Sequence, residues 1–283
     1  MFENKKPKNW SESYWNQIKR NIGIVSFRDQ EKLRKTGIAV FGLGGLGGPL
    51  VEQLVRAGCE KFVLCDNDKF EESNLNRQLC TREDIGKYKV DTIENFLKKI
   101  NPEIEIHKYY KTNAKKVSES LENINILALT LDDPIISILI SRECLKSNIA
   151  MIESWGFPYV CAWWFTKDSK SYENCYGLST QNKSIQEITK SKKLQLSIKK
   201  SLISKVFQFP GLQESCDREP GAVNGMILGK LPLRSFAPMV RMTAAYLAFE
   251  IIFAGILRIK EMILAPKIIG FDYLRMKSFK FSF

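Results

Sequence analysis

Residues 42–48 read Gly-Leu-Gly-Gly-Leu-Gly-Gly. The apolar run 38–41 before them predicts a strand. Residues 49–57 after them predict a helix with Leu50, Val51, Leu54 and Val55 on one face, stopped by Gly58. A glycine loop at this junction lets backbone N–H groups approach phosphate oxygens at the positive helix end. A second strand follows over 61–65 and runs into Asp66, Asn67 and Asp68. Asp66 lies nineteen residues beyond Gly47, where a ribose-binding acid belongs. The glycine pattern alone also fits a tight turn that packs a helix on a sheet. Strand, loop, helix, strand and acid in order point to a nucleotide.

Residues 73–78 read Ser-Asn-Leu-Asn-Arg-Gln. They argue against a dehydrogenase, because hydride transfer needs no cluster of cations beside the phosphates. Here Arg77 and Lys89 converge on the nucleotide, with Asn74 nearby. Cations so placed stabilise charge developing on a phosphate during displacement. Asp132, at the end of a later strand, can hold Mg²⁺ through oxygen. A surface ion pair for Arg77 and a helix N-cap for Asp132 are the plain alternatives.

Strand and helix signals alternate through the first 155 residues. Helices are predicted over 29–35, 87–100, 114–121 and 135–146, and strands over 104–109, 126–130 and 149–153. Asp132, Asp133 and Pro134 open the last of those helices. This rhythm implies an α/β, Rossmann-like fold: a mostly parallel sheet with helices on both faces. Residues 159–166 read as one aromatic strand, 211–238 as a loop, 239–257 as a long apolar helix, and 267–272 with 276–281 as a closing hairpin. The expectation is one domain over 1–283, with a nucleotide-binding half (1–155) and a substrate-side half (156–283).

At 283 residues and 44% apolar content the chain can bury a large core. The N-terminus has no apolar run behind its charges, so no signal peptide is expected. The greasy stretch 244–257 carries Glu250 and is too short to span a bilayer. The seven cysteines are scattered without a Cys-x-x-Cys pair, which predicts reduced thiols, a cytoplasmic protein and no zinc. Of the net charge of +12, half falls in 167–205, where nine lysines face Asp168, Glu173 and Glu187. That segment reads as a mobile lysine-rich insertion. It is either a solvated surface or a landing site for an acidic peptide or a nucleic acid. Its few aromatics argue against stacking on single strands.

At this point the chain resembles the adenylating enzymes of the ThiF, MoeB and HesA type, relatives of ubiquitin-activating enzymes. The resemblance rests on RNIGIVS at 20–26, GLGGLGG at 42–48, DND at 66–68, SNLNRQ at 73–78, DIGKYK at 84–89, INP at 100–102, DD at 132–133, SFAP at 235–238 and GFD at 270–272. It implies ATP and Mg²⁺ as cofactors, AMP transfer to a peptide or small-protein carboxylate, and a homodimer. It places Gly42, Gly44, Gly45 and Gly47 at the phosphates, and Asp66 with Asp68 at the nucleoside. Asn74, Arg77 and Lys89 then contact the phosphates, Asp132 positions Mg²⁺, and Ser73 and Asp133 belong to the cofactor site. Arg20 resembles the arginine that one subunit inserts into its partner's site.

The departures narrow the substrate. Only Cys175 remains of the first zinc-binding pair found in sulfur-carrier activators. Ser137 stands where the family usually has an arginine. Cys216 lies where some relatives carry a reactive thiol, but Asp217 and Glu219 would raise its pKa. His107, the only histidine, falls on an edge-like strand away from the motifs. The leading expectation is a peptide-modifying adenylyltransferase of the microcin or pantocin type, working without a membrane. The alternatives are a tRNA threonylcarbamoyladenosine dehydratase, a sulfur-carrier adenylyltransferase, and a silent nucleotide-binding scaffold.

Overall fold

The computed structural model describes residues 5–111, 113–156 and 158–283. The first four residues, part of the signal-peptide reading, lie outside the described residues. Two short helices, α1 (Glu12–Ile18) and α2 (Phe27–Lys35), lead in, and serines cap both. The predicted alternation follows: β1 (Gly37–Phe41), α3 (Gly47–Arg56), β2 (Lys61–Cys65), α4 (Lys89–Ile100), β3 (Glu105–Tyr109), α5 (Ala114–Ser120), β4 (Ile126–Leu129), α6 (Pro134–Lys146) and β5 (Ala150–Glu153). These five strands pair in parallel in the order β3-β2-β1-β4-β5. The order reverses at β1, between β2 and β4. Such a reversal opens a crevice at the carboxyl ends of the strands. Leu50, Val51, Leu54 and Val55 are fully buried, as their spacing on α3 requires.

The aromatic stretch does not form one strand. It divides into β6 (Tyr159–Cys161) and β7 (Trp163–Phe165), with buried Ala162 between them. Within β7, strand alternation sends adjacent Trp163 and Trp164 into different cores on opposite faces of the sheet. β7 pairs antiparallel with β5 and closes the main sheet. β6 instead pairs with β8 (Lys267–Asp272), which pairs with β9 (Lys277–Ser282) in a separate antiparallel sheet.

The lysine-rich segment is folded, which corrects the reading of a mobile insertion. It forms α7 (Tyr172–Cys175), α8 (Ile185–Lys190) and α9 (Lys192–Val206). Ile188, Ile198, Leu202 and Ile203 are buried in the core that also holds Ile138 and Leu139 of α6. Arg142 of α6 grips Glu173 through two hydrogen bonds of 2.9 and 2.7 Å and donates to the carbonyls of Thr180 and Lys183 at 2.7 Å each. The stretch read as a loop likewise holds α10 (Leu212–Cys216) and α11 (Ala222–Ile227). The apolar helix starts earlier than expected, as α12 (Ala237–Glu250), and continues through a π-helical turn at Ile251–Ile256. Its length and composition would suit a bilayer, so length does not exclude one. Half of it is buried, however, with Ala244, Leu247 and Ile251 in the core shared with α3.

Candidate functional site

Three adjacent strand ends build the site. The registers align Phe41 with Cys65 and with Leu129, so the chain leaves β1, β2 and β4 at one level. The glycine loop, Asp66 and residues 130–133 therefore emerge side by side.

The glycines divide by role. Gly42 has φ +94°, and an added Cβ would lie 2.4 Å from the Thr130 carbonyl. A Cβ on Gly47 would lie 1.7 Å from the Gly42 carbonyl. These two glycines let the loop close on itself. Gly44 and Gly45 face outward. A Cβ on Gly45 would meet only the Arg77 side chain, at 3.3–3.5 Å, and one on Gly44 only Gln78 Nε2, at 3.7 Å. The helix behind the loop, α3, starts without a side-chain cap. Gly48 donates its N–H to the Gly44 carbonyl at 3.2 Å and Pro49 has none, so within the first three residues of α3 only the Gly47 N–H is left for an anion.

Asp66 is buried under this loop. Its Oδ2 accepts the Leu43 N–H at 2.6 Å and its Oδ1 the Asp68 N–H at 2.8 Å. Burial raises its pKa, opposed first by the charge of Lys89. Asp66 therefore shapes the loop, a role beyond the ribose contact expected from spacing. Asn74 shapes the next turn: its Oδ1 accepts the Glu71 N–H and its Nδ2 donates to Ser73 Oγ, both at 3.3 Å. Arg77 crosses Gly45, and its Nη1 donates to the Ser73 carbonyl at 3.1 Å and to Asn76 Oδ1 at 2.8 Å. Lys89, the first residue of α4, is buried, and its ammonium sits 2.8 Å from Asp68 Oδ2.

Asp132 stands in the mouth between these groups. The protein crowding its carboxylate raises its pKa, against the charges of Arg77 and Lys89. Its neighbour Asp133 is used differently from the expected cofactor contact. Asp133 Oδ1 accepts the N–H groups of Ile135 and Ile136 and caps α6. One free carboxylate suits Mg²⁺ carried on a nucleotide, since phosphates and water complete such a shell. No cluster of three or more metal-ligating side chains occurs among the described residues.

Arg20 is not brought to this site. The flanking Gln17 and Asn21 donate to the carbonyls of Val55 and Ala57, at the far end of α3 from the glycine loop. A helix of that length spans ~15 Å, beyond the reach of an arginine. Ser137 is buried and bonds the Asp133 carbonyl at 2.8 Å, so no cation replaces the family arginine there. Burial, then Asp217, raises the Cys216 thiol, which is the opposite of nucleophile activation. His107 is exposed on edge strand β3, remote from the crevice.

The ThiF family model matches residues 17–282. The chain belongs to the ThiF family. Among curated relatives of this ThiF-family chain, ubiquitin-like modifier-activating enzyme 5 of Gallus gallus is 32% identical over 134 residues, 47% of this chain and 33% of the relative. The tRNA threonylcarbamoyladenosine dehydratase of Bacillus subtilis is 31% identical over 143 residues, 50% of this chain and 56% of the relative. The chain thus spans between a third and just over half of these relatives' lengths. The fold is shared with solved structures. PaaA superposes with a TM-score of 0.67 at 18% identity, covering 100% of this chain and 77% of PaaA. E. coli MccB with AMPCPP and MccA superposes with a TM-score of 0.65 at 21% identity, covering 97% and 72%.

One residue of this ThiF-family site carried no role in the sequence. Gln78 ends the Ser-Asn-Leu-Asn-Arg-Gln run and is 7% exposed. Its Oε1 is buried without a hydrogen-bond partner among the described residues. Leaving such an acceptor unmet costs about 1–3 kcal/mol. Its Nε2, a donor, is the group nearest the outward side of Gly44. Glutamine as a residue type gave no signal; only its burial marks it.

Proposed function

We propose that the chain uses Mg·ATP to adenylate a carboxylate of a peptide or small protein, in ribosomal peptide natural-product biosynthesis. The observation that carries this is Arg77 lying across outward-facing Gly45, with Lys89 and Asp132 beside it. That array concentrates positive charge where an α-phosphate would rest on the loop. A carboxylate oxygen attacks the α-phosphorus and forms the new O–P bond. The bond to the bridging β-phosphate oxygen breaks, and pyrophosphate leaves with the electron pair. The two anionic reactants repel each other, so the cations lower the barrier where charge accumulates. Mg²⁺ held by Asp132 would supply further charge neutralisation. The peptide reading draws support from the fold shared with MccB, whose structures include the MccA peptide.

The distance of Arg20 from its own glycine loop favours a homodimer in which it serves the partner's site. A second reading, adenylation of a tRNA-borne carboxylate, draws on the +12 charge and the Bacillus subtilis relative. One experiment separates these. Labelled pyrophosphate is exchanged into ATP with precursor peptide or with tRNA as the carboxylate donor. Peptide-dependent exchange is expected. Exchange only with tRNA selects the second reading, and formation of ADP and orthophosphate refutes adenylation.

A further inference from the structure

The fold pins α9 by its inner side and leaves its outer side to solvent. Ile198, Leu202, Ile203 and Val206 are buried in the core shared with α6. Ser201 Oγ donates to the Tyr176 carbonyl at 2.8 Å. On the outside, Lys193, Leu196, Ser197 and Lys200 recur at the three- and four-residue spacing of one helix face, and all four are exposed. Leu196 is 56% exposed, with a lysine one turn away on either side.

No acid in the fold answers these lysines. Between Glu173 and Glu214 the chain holds seven lysines and a single acid, Glu187. Glu187 is used within its own helix: its Oε2 accepts the Ser184 N–H and the Ser184 hydroxyl, both at 2.7 Å. Lys190, Lys192, Lys193 and Lys200 form no ion pair among the described residues. Nor do they serve the helix. Lys192 and Lys193 stand in the first turn of α9, where no acid offsets the positive helix end. We propose that the outer face of α9 docks an acidic polypeptide segment, with an apolar side chain of that segment covering Leu196. Charge complementarity selects an acidic partner, and the exposed leucine selects a polypeptide over a nucleic acid. The chain has no arginine between Arg142 and Arg218 and no aromatic residue between Tyr176 and Phe207. The face therefore lacks the forks and rings that hold phosphates and bases. A second copy of the chain, itself at +12, is a poor match for this face. The docking surface is independent of the adenylation reading above.

The test needs no nucleotide. Fluorescence anisotropy on the full chain follows a labelled peptide of glutamates and leucines, an all-glutamate peptide and a single-stranded RNA. The glutamate–leucine peptide is expected to bind, and more weakly as salt rises, because exposed charges are screened over roughly 8 Å at physiological ionic strength. Lys193→Glu combined with Lys200→Glu should weaken it about tenfold, the scale of two exposed ion pairs turned into repulsions. Leu196→Ser should weaken it about fivefold and leave the all-glutamate peptide unchanged. Thermal unfolding checks that each variant is folded. A wild-type chain that does not bind the glutamate–leucine peptide overturns the proposal, as does wild-type affinity in Leu196→Ser. So does an equal loss when exposed Lys277 and Lys280 of β9 are both replaced by glutamate, which marks general charge. Tighter binding of the RNA than of the peptide overturns it as well, and marks a nucleic-acid surface.

Discussion

Substituting alanine at Gly45 and at Gly47 should separate the two faces of the glycine loop. At Gly47 the new Cβ would lie 1.7 Å from the Gly42 carbonyl and 2.7 Å from Thr130 Oγ1. The nearest of these is backbone, which cannot yield without opening the loop. Overpacking of this kind costs roughly 1–3 kcal/mol, and this contact belongs at the upper end. At Gly45 the nearest atoms are Arg77 Cγ, Cδ and Nε at 3.3, 3.4 and 3.5 Å. A flexible stem gives way easily, and replacing glycine by alanine on unstrained backbone stabilises by ~0.4–1 kcal/mol. Gly45→Ala should therefore melt at or slightly above the wild type. Its methyl group would nonetheless occupy the approach to the loop and displace Arg77. ATP affinity should fall at least tenfold, or about 1.4 kcal/mol. Thermal unfolding and calorimetry with Mg·ATP read both effects. Wild-type ATP affinity in Gly45→Ala would refute the outward face as the phosphate surface. Wild-type stability in Gly47→Ala would refute the packing role of the inner pair.

Three further outcomes are expected. Arg20→Ala and Asp132→Ala chains, each inactive alone, should recover pyrophosphate exchange when mixed, because a mixed dimer holds one intact site; no recovery between chains shown to exchange would exclude sharing. Burial pushes Glu153 up to about 8 although Tyr176 and Trp163 donate to it. Between the ordinary glutamate range and that value the folded chain keeps a proton the unfolded chain has lost, so stability falls as pH rises, by up to ~1.4 kcal/mol per unit. Glu153→Gln should flatten that limb in denaturant titrations, and parallel curves for the two chains would contradict the assignment. Arg142→Met leaves the Glu173 carboxylate without its two hydrogen bonds from the guanidinium, which should cost about 1–3 kcal/mol and expose 173–190 to proteolysis; unchanged cleavage would show that α8 and α9 stand without this pin.

Apart from α1, which the residue pattern did not predict, the first 155 residues were legible because their signals are local. β1, β2, β4 and β5 are short, mostly apolar runs, edge strand β3 alternates polar and apolar residues, and each helix has a cap or a stop beside it. Asp133 and Pro134 mark the start of α6 by residue type alone. The lysine-rich segment was not legible. Its buried Ile188, Ile198, Leu202 and Ile203 are spaced among lysines and serines, and their burial depends on α6, which is distant in sequence. The division of 159–165 was hidden because both halves have the same aromatic, strand-like composition. In the site, Arg77, Lys89 and Asp132 were readable as a converging set, and Arg20 as a motif element. The burial of Gln78 is a product of packing, and no residue pattern encodes it.

The pairing of β6 has a consequence for how the chain leaves the ribosome. Tyr159 pairs with Asp272, which is made 113 positions later. The parallel strands β1 to β5, by contrast, pair with one another within the first 153 residues, and only β7 is added to that sheet from beyond them. Those strands can pair while synthesis continues, as N-terminal units do, although α12 covers α3 only later. β6 must wait, with the rings of Tyr159 and neighbouring Trp163 uncovered and its backbone edge open. Such an edge recruits other chains until it is covered. Synthesis of 267–282 thus acts as a completion step. A ribosome stalled before residue 267 should display a chain with β1 to β5 paired and chaperones bound, and one stalled far enough past 283 for the hairpin to emerge should not hold chaperones.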